Sequence, residues 1–225
     1  MKNVLTSALL SATILGAGLA VSGSVNAADM TPASTATGVQ FKAGDEGQVI
    51  PPVDPTDPTN PTDPGDNGNT GNSGNLAIIY ATKAISFGTE NEITANTVNL
   101  TSDKDVAVEV GDVRGTNAGW TLAVSSKQLA NADESEKLDG AAISLGAGAV
   151  SVGNGSTAKH AVSSAIGDTT TSGVVLGATA GAGAGINVDN IKNTDVKLTI
   201  PAGVAKADIA YASTLTWTLS DTPAV

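Results

Sequence analysis

The chain has no cysteine in its 225 residues, a single histidine, and only two each of tryptophan, tyrosine and phenylalanine. Without cysteine there is no disulfide framework, no thiol nucleophile, no thiolate metal centre and no attachment point for a lipoprotein anchor. Basic residues are also few: 11 Lys and Arg against 22 Asp and Glu give a formal net charge of −11. So acidic a surface repels nucleic acid and anionic membranes, which argues against partners held by counterion release. The histidine, His160, lies in the polar stretch "STAKHAVSS", and the chain has no Gly-x-Ser-x-Gly elbow and no phosphate-cradling Gly-rich loop. Cleavage of a glycan by paired carboxylates usually needs aromatic sugar platforms, and most of the few aromatics here lie in strand patterns that turn them inward. No catalytic, metal or cofactor-binding residue is therefore assigned.

The chain opens with "MKNVLTSALLSATILGAGLAVSGSVNA", which has Lys2, an apolar run over residues 4–21 and the small-x-small ending Val25-Asn26-Ala27. This reads as a secretory signal over residues 1–27, cut before Ala28, leaving no membrane span in the mature chain. In the following segment, residues 28–50, Val39 and Phe41 alternate with Gln40 and Lys42. That alternation predicts a strand over residues 38–44 that belongs to the main domain. Residues 51–75 read as a linker. Prolines 52, 55, 58, 61 and 64 recur every third residue, the period of polyproline II, and "GDNGNTGNSGN" follows as a flexible coil. Either a stiff spacer or a protease-tolerant connector fits this composition. The "DNGN" in it lacks the residue order and terminal Glu of a calcium loop.

Residues 76–225 have β character throughout. "LAIIYATKAISFG" is β-branched and aromatic. "DVAVEV" sets Val106, Val108 and Val110 on one face, and "DVKLTI" does the same for Val196, Leu198 and Ile200. In "GWTLAVS" Trp120, Leu122 and Val124 share a face. In "YASTLTWTLS", residues 211–220, Tyr211, Leu215, Trp217 and Leu219 oppose Thr214, Thr216, Thr218 and Ser220. Residues 127–140 suit either a helical turn or an acidic loop. The Gly/Ala/Ser-rich residues 141–185 suit small-residue strands of weak register. The fold class expected is all-β: one antiparallel, sandwich-like domain after a signal peptide and a Pro-rich linker. Both tryptophans are expected in its core rather than at a ligand.

The phrases Trp120-Thr121-Leu122 and Tyr211-x-x-x-Leu215-x-Trp217-Thr218-Leu219 resemble the two motifs of the WxL-domain family of Gram-positive surface proteins. Asp112-x-Arg114-Gly115-Thr116, the "IPAG" at residues 200–203, Pro223 and the Asp-Pro-Thr linker also fit, so the resemblance spans nearly the whole chain. It implies a secreted protein at the cell surface, attached non-covalently to peptidoglycan or another wall polymer. The eight named motif residues would form the wall-binding phrase, mainly by building the fold. The absence of a sortase signal and of a lipid anchor agrees with this reading. The resemblance also implies partner surface proteins, so a subunit whose wall association is indirect is the alternative. A wall hydrolase would need an acidic pair or His160 in a cleft. Anionic wall polymers should repel so acidic a chain, unless Arg114, Lys192, Lys197 and Lys206 gather into a local basic patch.

Overall fold

Alternation of β-branched and small residues gives eleven strands in a computed structural model that describes residues 34–61 and 68–225. They are β1 (Leu76–Ala81), β2 (Val98–Thr101), β3 (Val106–Asp112), β4 (Trp120–Ser126), β5 (Ala142–Leu145), β6 (Ala149–Val152), β7 (Val162–Ser163), β8 (Gly173–Ala178), β9 (Gly185–Ile191), β10 (Val196–Ile200) and β11 (Leu215–Ser220). The described residues hold no helix beyond two three-residue 3-10 turns. Every pairing is antiparallel, in three sheets ordered β1-β3-β9-β6, β2-β10-β5 and β11-β4-β8-β7. The protein is thus all-β and sandwich-like, as expected. The signal peptide expected over residues 1–27 lies outside the described residues.

Inward side chains from the three sheets fill three apolar clusters. One gathers Val106, Val124, Ile143, Val175, Ile191, Val196 and Leu198, and a second holds Val108, Val110, Trp120, Leu122 and Leu176. The third contains Ile50, Val53, Ala77, Ile79, Ile186 and Val188. It explains why all seven residues of β3 are buried, where alternation predicted only one apolar face. On the far face of β3, Glu109 Oε2 accepts from Val53 N at 3.1 Å, and Gly111 lies beneath Ile50. A Cβ on Gly111 would come within 2.9 Å of Ile50 Cδ1, so glycine lets this segment lie close.

That contact corrects the expected domain boundaries. The compact unit runs Phe41–Val225, not from residue 76, and the supposed linker is in part a strap across the first sheet. Val49 bridges to Ser73, and Val53 to Pro61. Between them the Asp-Pro-Thr repeats form turns instead of a polyproline rod. Asp54 Oδ1 accepts hydrogen bonds from Thr56 N (2.7 Å) and Thr56 Oγ1 (2.6 Å), and Asp57 Oδ1 accepts from Thr59 Oγ1 (2.6 Å). An Asp side chain that bonds the backbone two residues on mimics a turn, and proline at the next position sets its φ. These bonds, those from Thr56 first, hold the Asp54 carboxyl below its ordinary range.

The strand expected over residues 38–44 is absent: these residues have no regular structure, with Val39 80% and Phe41 87% exposed. Residues 34–40 belong to an N-terminal unit, Met1–Gln40, whose described part carries no strand. The free side of β1 is already occupied. Thr70 N donates to Ile79 O (3.1 Å) and Ala81 N to Gly68 O (2.9 Å), so no edge is left there for a further strand. Residues 127–140 form a loop closed by an Ala130–Lys137 bridge, not a helical turn.

Candidate functional site

Strands β4 and β11 bring the two tryptophan phrases side by side. Leu122 pairs with Leu219, Val124 with Trp217, and Thr121 with Ser220, with no break in register. Inward-facing residues pair with inward-facing ones, as period 2 requires. Trp120 is fully buried, and its Nε1 donates to Gly183 O at 3.1 Å. The same carbonyl accepts from Asn187 Nδ2 (2.9 Å), while Asn187 Oδ1 accepts from Ala161 N (2.9 Å). The indole and a buried amide are thereby satisfied together. Gly183 has φ +80°, and a Cβ there would lie 2.6 Å from Trp120 Nε1. The glycine-rich "GAGAG" is thus partly the seat of the tryptophan, a role that composition alone did not reveal.

The turn that delivers Trp120 is pinned by a forked ion pair. Arg114 Nε and Nη2 donate to Asp112 Oδ1 and Oδ2 at 3.0 and 2.8 Å, and Nη2 also donates to Gly119 O at 2.8 Å. The Asp112 side chain is only 2% exposed and that of Arg114 14%. Hydrogen bonding to Asp112 raises the Arg114 pKa above its ordinary value. Trp217 departs from expectation. It is half-buried, because β11 ends its sheet and has a neighbour only on the β4 side. Its ring still packs against two of the clusters. Tyr211 precedes the strand, which starts only at Leu215. It is also half-buried, and its hydroxyl accepts from Lys206 N at 3.2 Å.

The outer face of this strand pair is different in kind. Thr121, Ala123 and Ser125 of β4 lie beside Ser220, Thr218 and Thr216 of β11, and Thr214 continues the row. Thr214, Thr216 and Thr218 are exposed. The result is an uncharged comb of small hydroxyls over a hydrophobic layer. At the C-terminal end of β11 a groove of about 720 Å3 is lined by Asn72, Leu76, Ile78, Leu219, Ser220 and Asp221, among others.

The remaining candidates do not assemble into a site. His160 is exposed, and its Nδ1 lies 2.7 Å from the neighbouring Ala161 O. Three of the four residues of the possible basic patch are matched to carboxylates: Arg114 to Asp112, Lys192 to Asp105 (2.7 Å) and Lys206 to Glu136 (2.6 Å). Among the described residues no three His, Cys, Asp or Glu side chains cluster to hold a metal, and no helix is long and apolar enough to cross a membrane. Asp189 is a buried carboxyl that the sequence did not announce. It is fully buried on β9, and Oδ2 accepts from Ser163 Oγ at 2.8 Å while Oδ1 has no partner. Burial pushes its pKa up to about 6, against the opposing hydrogen bond from Ser163.

Over residues 28–223 the sequence matches a family described as WxL domain, surface cell wall-binding. No curated protein and no solved structure matches it.

Proposed function

Since the chain belongs to the WxL family of surface domains that bind the cell wall, we propose that it is a secreted surface protein that attaches directly and non-covalently to peptidoglycan. The observation that carries this reading is the hydroxyl comb of Thr121, Ser125, Thr214, Thr216 and Thr218, set on the strand pair that the two family motifs form. Hydroxyls donate and accept hydrogen bonds, as glycan hydroxyls and stem-peptide amides require. The motif residues themselves act by building this face. Trp120, Leu122 and, in part, Leu215, Trp217 and Leu219 are core, and only Thr121 and Thr218 turn outward. The role is binding, not catalysis.

The alternative, attachment through a partner surface protein, separates from this reading in one experiment. Purified protein is mixed with peptidoglycan stripped of protein, and the pellet is assayed. Co-sedimentation, weakened by Thr216→Ala with Thr218→Ala at an unchanged melting temperature, supports direct attachment through the comb. Protein left in the supernatant, yet retained by walls that keep their proteins, would establish the indirect route.

A further inference from the structure

A sheet edge is a row of unpaired N–H and C=O groups, and proteins ordinarily guard it by shortness, charge, proline, a bulge or a cover. Most edges here are guarded in one of these ways. Residues 68–70 cover β1, and Ile166 bridges to Leu145 at the free side of β5. Strands β2 and β6 have four residues each, and β7 has two. The edge of β11 has no such protection among the described residues. It is six residues long, pairs with β4 without a register shift, and reads "LTWTLS", with no charge and no proline.

The sequence of this edge also names its occupant. Leu215-Thr216-Trp217-Thr218-Leu219 is a palindrome. Two antiparallel copies related by a two-fold axis through Trp217 set Leu215 against Leu219, Thr216 against Thr218, and Trp217 against Trp217. Opposed residues in an antiparallel pair point to the same side of the sheet, so this register places core-facing residues opposite core-facing ones and the comb opposite the comb. Such self-complementarity is what an isologous interface demands. The exposed part of each half-buried Trp217 would gain an aromatic neighbour. The second copy's Leu215 would lie opposite Leu219, which lines the apolar side of the groove together with Leu76 and Ile78.

We propose that two copies of this chain join through their β11 edges, antiparallel about Trp217, so that two four-stranded sheets continue as one eight-stranded sheet with a doubled hydroxyl face. The proposal does not depend on wall attachment, because it is tested in solution without wall material. Sedimentation equilibrium of the purified protein should show a reversible monomer–dimer exchange. The dimer should tighten as salt screens the charge of −11 on each copy.

Charges at the two exposed threonines then test the register. Thr216→Lys with Thr218→Lys opposes lysine to lysine twice across the axis, and should weaken the dimer about tenfold. Thr216→Lys with Thr218→Glu opposes unlike charges twice, and should leave the dissociation constant within about threefold of the parent. At concentrations below the dimer's dissociation constant, melting curves should match the parent's for both variants, since both side chains of the monomer point to solvent. A parent protein that is monomeric at its highest soluble concentration would overturn the proposal. So would two charge variants that dimerise equally well.

Discussion

The substitution Asp189→Asn should make the protein less sensitive to alkaline pH, by an amount that the burial of this carboxyl sets. Asp189 lies on β9 with Oδ1 lacking a partner, and a Cβ on Gly148 would sit 2.1 Å from that oxygen. So close an approach leaves no room for water, and its pKa is pushed up to about 6 from 3.8, chiefly by burial. The folded state therefore holds this proton at pH values where the unfolded chain has released it. Where the folded state binds more protons, stability falls as pH rises. The destabilisation is small near the unfolded value of 3.8 and complete above about 6. At about 1.4 kcal/mol per pH unit it reaches about 3 kcal/mol at neutral pH. The amide of the variant carries no charge but buries an NH2 group, which costs about 1–3 kcal/mol at every pH. The informative quantity is thus the stability difference, variant minus parent, from urea unfolding at a series of pH values. It should grow by about 2.5 kcal/mol between about pH 4 and pH 7.5. Carboxylates with lowered pKa, such as Asp54 and Asp105, cancel in the difference. A difference that stays flat across this range would refute the reasoning.

Trp120→Ala should cost about 3–5 kcal/mol and Trp217→Ala about 2 kcal/mol, because only the first ring is fully enclosed; equal urea midpoints would contradict that ranking. Removal of residues 28–40 should leave the melt unchanged. Removal of everything before Leu76 should cost at least about 3 kcal/mol, since Ile50 and Val53 then no longer cover β3. Arg114→Ala should cost about 3 kcal/mol by leaving the Asp112 carboxylate buried and unpaired, and Asp112→Ala in the same chain should recover part of that loss. Retention on purified walls should stay level or rise slightly from low to high sodium chloride. A steep fall would show that cations such as Lys197 grip wall phosphate despite the net charge.

Strands with strict alternation and large side chains were legible in the sequence. Period 2 in "GWTLAVS" placed Trp120, Leu122 and Val124 inside, and all three are fully buried. The pairing of β4 with β11 was not legible, because alternation fixes a face but not a neighbour. The same limit explains Trp217: its inward direction was readable, but its place at a sheet edge was not. The strap was missed because its apolar residues, Val49, Ile50 and Val53, are few and broken by prolines, and the period of those prolines outweighed the Asp-to-Thr turn bonding that the structure uses. In residues 38–44 the alternation was real, but a strand also needs a free edge, and that depends on residues far along the chain. Asp189, in Asn187-Val188-Asp189-Asn190, looked like any acidic residue beside asparagines. Only the packing of Gly148 and Ser163 against it makes it unusual.

The pairing of Leu122 with Leu219 also sets an order of events during synthesis. Strands β4 and β8 can meet early, but the other side of β4 must wait until β11 has emerged. Until then β4 is itself an unguarded edge, with a buried tryptophan still to be enclosed. Contacts so distant in sequence form slowly, because a long loop must close before they contribute. A nascent chain of this topology therefore stays incompletely folded until β11 is available. That delay leaves most of the chain without its final sheet until the last strand arrives, and makes β11 the latch that ends it.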